Sequence, residues 1–76
     1  MTDFSQSECR KRVEILPGYL REVLRLMATG ACTKEIADEL KLTPSTVYVY
    51  RERVYSKMQV NNLAVATRIA VGARLI

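Results

Sequence analysis

Thr33-Lys34-Glu35-Ile36-Ala37-Asp38-Glu39-Leu40, then Lys41-Leu42, then Thr43-Pro44-Ser45-Thr46-Val47, is the stretch that decides the fold. In its first part Ile36, Ala37 and Leu40 gather on one side of a helix, and Lys34, Glu35, Asp38 and Glu39 face outward. Thr33 has the hydroxyl of a good N-cap. After Lys41-Leu42, Thr43 can cap a new helix, and Pro44 stands at its first position, where a missing backbone donor costs nothing. That helix runs to Lys57-Met58, with Val47, Val54 and Met58 as core positions and Tyr50 or Arg51 between them. Two helices joined by so short a break read as a helix-turn-helix.

Outward from this pair the pattern stays helical. Pro17-Gly18 punctuates the chain, and Leu20, Val23, Leu24 and Met27 follow at the spacing of one buried helical stripe, stopped by Gly30. Asn61 or Asn62 caps a last helix that reaches about Ala73, with Leu63, Ala66, Ala70 and Ala73 on one apolar stripe. Met1 to Cys9 has no apolar period, so residues 1–15 are expected to form an arm with at most a helical turn through Arg10–Glu14. The expected fold is all-α, a four-helix helix-turn-helix domain over residues 16–76.

Composition narrows what such a domain does. Seventy-six residues make one small domain, too small for a substrate cleft walled by two domains, and an enzyme is not expected. Cys9 and Cys32 are too few for a zinc site, and the chain has no histidine to complete one. No metal or other cofactor is expected. The polar, charged N-terminus has no apolar signal segment, and Leu63 to Ala73 is too short to span a bilayer. Reduced thiols and a cytoplasmic, nucleoid-associated location are the corresponding expectations. Residues 1–40 carry six basic against seven acidic side chains, whereas residues 41–76 carry six basic against the single acid Glu52. The positive field therefore sits on the second helix of the pair and on the residues C-terminal to it, as expected of a surface that meets phosphate. A solvated basic face is the ordinary alternative, and charge alone does not separate the two.

A helix-turn-helix places its second helix in the DNA major groove. Opposite the core stripe of that helix, Ser45, Tyr48, Val49 and Glu52 share one outward face. Tyr48 can offer a hydroxyl to a base edge, Val49 can pack on a thymine methyl, and Glu52 can accept from a cytosine amino group. Arg51, Arg53 and Lys57 on the flanks, with Lys34, suit phosphate contacts that fix register. Ser45 and Thr46 can donate to phosphate at the helix N-terminus, beside the cap Thr43. Taken singly, each of these side chains has an ordinary surface role that is the stronger reading; the case rests on their joint arrangement.

From Leu16 to Ile76 the chain also resembles, without a gap, the LuxR/FixJ/GerE-type DNA-binding domain of bacterial transcription regulators. The resemblance is carried by Arg21-Glu22-Val23-Leu24-Arg25-Leu26, Gly30, Lys34-Glu35-Ile36-Ala37, Leu40, Thr46-Val47, Arg51, Lys57-Met58, Val60 and Leu75-Ile76. It implies a four-helix fold whose third helix reads DNA and whose fourth commonly makes the dimer contact. Such a domain usually follows a receiver or sensing domain, and only the residues before Leu16 precede it here, so a stand-alone regulator is expected, with a fragment as the alternative. The chain departs from the family's pattern on the recognition helix, where Tyr48, Tyr50 and Glu52 replace basic or histidine positions, and outside it, where Leu20 replaces an acid and Gln59 and Arg74 replace glycines.

The last helix carries apolar side chains beyond its core stripe. Val65 and Ile69, with small Gly72, form a displaced stripe expected to be a homodimer face, unless it is buried within the monomer or under the N-terminal arm. The leading function is a sequence-specific regulator of transcription that binds double-stranded DNA as a homodimer, with RNA polymerase or a related regulator as further partners and no membrane. The alternative is a protein-interaction module that antagonises a related full-length regulator, favoured by the loss of basic groups at Tyr48 and Glu52.

Overall fold

A computed structural model describes residues 5–75. Among them the chain forms five helices and no strand: α1 Gln6–Glu14, α2 Gly18–Ala28, α3 Thr33–Leu40, α4 Pro44–Met58 and α5 Leu63–Gly72. The four expected helices are α2 to α5. Leu20, Val23, Leu24 and Met27 of α2, Ile36 and Ala37 of α3, and Val47, Val54 and Met58 of α4 are all buried in one core, with Ala66, Ile69 and Ala70 of α5. Here α2 packs on α4 and α5, and α3 lies across α4. Leu63, expected on the inward stripe, is part-exposed at the start of α5.

Helix ends follow the local chemistry of their residues. Thr43 caps α4 by accepting the Thr46 N–H, and Asn62 caps α5 by accepting the Val65 N–H at 2.9 Å. The N-cap of α3 is Cys32 rather than Thr33, because the Glu35 carboxylate reaches back to accept the Cys32 N–H at 2.8 Å. This frees the Thr33 hydroxyl for another partner. Gly30 closes α2 in the left-handed region, φ +97, with the Ala31 N–H returning to the Leu26 carbonyl. Lys41, Gln59 and Arg74 take the same left-handed position after α3, α4 and α5 without being glycine.

The segment expected to be an arm differs most. From Ser5, whose hydroxyl accepts the Glu8 N–H, it forms α1, and it buries Cys9 and Val13 against the domain, chiefly on α5. A Cβ added at Gly72 would lie 2.5 Å from the Cys9 sulfur, so the two helices approach as closely as a glycine allows. The Arg12 guanidinium donates to the Met58 carbonyl at the end of α4. This corrects the expected dimer stripe. Ile69 is a fully buried core residue of its own monomer and Gly72 lies against Cys9, leaving Val65 half-buried. No helix among the described residues is long and apolar enough to cross a membrane.

Candidate nucleic-acid interface

With Val47, Val54 and Met58 fixed in the core, helical geometry turns the opposite side of α4 to solvent. Ser45, Tyr48, Val49 and Glu52 are all exposed on that side, Tyr48 at 60% and Val49 at 49%. Two large, partly apolar side chains and one carboxylate thus project together from a protein whose basic groups lie to either side. The Thr43 and Thr46 hydroxyls meet at 2.9 Å at the N-terminus of α4, the positive end of its dipole. Lys34 is exposed near the N-terminus of α3, and Lys57 is exposed in the last turn of α4.

The two arginines expected on the flanks are held by the protein itself. Arg51 stands four residues after Val47 and three before Val54, which places it at the edge of the core stripe rather than on the outer face. It is half-buried and donates from Nη1 to the Thr33 hydroxyl at 2.8 Å. This bond ties α4 to the first residue of α3 and engages one of the guanidinium donors of Arg51, the residue expected to meet phosphate. Arg53 is exposed, donates to the Tyr19 hydroxyl at 3.3 Å, and lies over the Tyr50 ring with 5.6 Å from its guanidinium carbon to the ring centre. Tyr19 and Tyr50 meet edge to face with centroids 4.9 Å apart. The arginine is thereby oriented and still presents charge to solvent.

Sequence reasoning passed over Tyr19 and did not pair Thr33 or Tyr50 with the arginines. Thr33 and Arg51 are 18 residues apart, and Tyr19 and Arg53 are 34 apart, so no local pattern pairs them.

The family model of bacterial regulatory proteins of the luxR family matches residues 21–70, a span that holds α3, α4 and most of α2 and α5. The chain belongs to that family. Its helix-turn-helix is therefore a DNA-binding domain of transcription-regulator type. Among curated relatives, the transcriptional regulatory protein FixJ of Azorhizobium caulinodans is 37% identical over 67 residues, covering 88% of this chain and 32% of that protein. The probable transcriptional regulatory protein NarL of Mycobacterium tuberculosis is 39% identical over 62 residues, covering 82% of this chain and 29% of that protein. UhpA of Escherichia coli is 45% identical over 42 residues, covering 55% of this chain and 21% of that protein. The LuxR-family chain described here thus spans about a third of the length of the FixJ relatives it matches. No solved structure matches it. The family match begins after α1.

Proposed function

We propose that the chain is a sequence-specific regulator that lays α4 in the major groove of duplex DNA. The observation that carries this reading is the exposure of Ser45, Tyr48, Val49 and Glu52 on one face of the second helix of a LuxR-family helix-turn-helix, flanked by Lys34, Arg53 and Lys57. The face supplies a hydroxyl, an apolar surface and a carboxylate acceptor for base edges, and the flanks supply cations for phosphates. Glu52 repels any phosphate, so its place is at the groove floor. Pairing of two copies suits dyad half-sites. The surface that supports it is the outer face of α5, where Ala64, Arg68 and Val71 are exposed, rather than the buried Ile69.

Electrophoretic shift of promoter duplexes at increasing salt tests the reading. Retention that falls steeply with salt is expected, with Lys34→Ala and Lys57→Ala each flattening the slope of log affinity against log salt by about 0.9. Unchanged slopes in both variants would overturn the flank assignments.

One observation favours a second reading, a module that captures a related regulator: the outer face of α4 carries exposed Tyr48 and Val49 beside Glu52 and no cation. Absence of any shift together with co-sedimentation with a full-length family member would select it.

A further inference from the structure

We propose that α1, which lies outside the family match, carries an additional backbone-phosphate contact at Lys11 and so widens the DNA-contacting surface beyond the helix-turn-helix. The inference rests on the DNA reading above. Arg53 and Lys57 are four residues apart on α4, so they stand on one flank about 6 Å apart along its axis. The row does not stop where α4 ends. Lys11 and Arg12 of α1 line one open hollow with Lys57, and the single carboxylate there is Glu8. That carboxylate is engaged by Arg12, whose Nε lies 3.2 Å from Glu8 Oε2. Arg12 is further occupied by the Met58 carbonyl. The charges turned to solvent are the ammonium groups of Lys11 and Lys57, both exposed and in no ion pair among the described residues.

Two like charges bordering one hollow repel each other, and among the described residues neither lysine is in an ion pair that offsets that. A phosphate between them does. The placement of Lys11 is also fixed in advance, because α1 is seated by Cys9 against Gly72 and by Arg12 on the end of α4. The cation is then presented without the ordering cost that a loose arm would carry. The occupant is the backbone of the same duplex: the hollow adjoins the basic flank of α4 through Lys57, and an ammonium on a phosphate carries no sequence information, so the contact is independent of sequence.

The test is fluorescence anisotropy of the full chain with a random-sequence duplex and with the preferred site, across a salt series, for wild type, Lys11→Ala, Lys11→Arg, Arg10→Ala and Lys57→Ala. Lys11→Ala should lower the salt slope by about 0.9 and weaken binding equally on both duplexes, while Lys11→Arg restores the slope. Arg10→Ala removes the same charge one position away, outside the hollow, and should keep the wild-type slope. Lys11→Gln, which keeps the aliphatic stem, replaces Lys11→Ala if the latter melts at lower temperature. A wild-type slope in the Lys11 variants, or an equal loss in Arg10→Ala, would overturn the proposal. If Lys57→Ala loses slope and the Lys11 variants do not, only the α1 contact falls; if wild type binds neither duplex, the DNA reading falls with it.

Discussion

Arg12 of α1 donates from its guanidinium to the main-chain carbonyl of Met58, the last helical residue of α4. The carbonyls of a final helical turn have no partner within the helix and carry the negative end of its dipole, so a cation bonded there both satisfies and stabilises the end. The helix thus held is the one that presents Tyr48, Val49 and Glu52.

Arg12→Ala is therefore expected to destabilise the fold by about 1–2 kcal/mol, somewhat below the roughly 1.5–3 kcal/mol of a hydrogen bond to a charged group because the Arg12 side chain is partly exposed. For a domain of this size that lowers the melting temperature by roughly 5–15 °C. Thermal and urea denaturation followed by circular dichroism measure it. A change within about 0.5 kcal/mol, the scale of an ordinary surface substitution, would show that the bond contributes little.

Gln59 sits at φ +59 immediately after α4, where a side chain crowds the following carbonyl. Gln59→Gly should stabilise the domain by about 0.5–1 kcal/mol, the relief of left-handed strain less the added freedom of the unfolded chain. Urea midpoints at unchanged slope provide the measurement. Equal or lower stability would mean that the Gln59 side chain contributes contacts that outweigh the strain.

Gly72→Ala should have the opposite sign. Although alanine favours a helix, its Cβ would meet the Cys9 sulfur at 2.5 Å, and α1 must move away from α5. A net loss of about 1–2 kcal/mol is expected, with a smaller loss in a Cys9→Ala background because the nearest atom has gone. Additive losses across the double-mutant cycle would contradict the close approach.

The carboxylate of Glu35 is held below its ordinary pKa, first by the Cys32 backbone N–H it accepts. A depressed folded-state value means the stabilisation is present above the unfolded pKa and is lost as pH falls through the folded one. Melting temperature should therefore fall on acidification below roughly pH 4–5, and Glu35→Gln should show a shallower fall over the same window. Superimposable acid profiles for the two proteins would remove Glu35 from the capping of α3.

What the sequence made legible was whatever local period and local caps determine. Leu20, Val23, Leu24 and Met27, and Val47, Val54 and Met58, announce their burial by spacing, and Thr43-Pro44 and Gly30 mark their helix ends by their own chemistry. The first helix did not announce itself, since only Cys9 and Val13 are buried among polar neighbours and Cys9 lies against a glycine far along the chain. The apolar surplus of α5 is a true signal that something covers it. Pattern alone does not say whether that cover is a second copy or the same chain, and for Ile69 and Gly72 it is the same chain. Arg51 reads as a flanking cation until the tertiary structure brings it to Thr33.

The central claim is that the outer face of α4 reads bases. Selection from a random duplex library, run in parallel for wild type, Tyr48→Ala, Val49→Ala and Glu52→Gln, tests it most directly. Each substitution should change which base pairs are preferred, by about 1–3 kcal/mol at a position where a good contact is lost, and Glu52→Gln should also bind generic DNA more tightly because a like charge has gone. A single common motif for all four proteins would contradict base reading by this face.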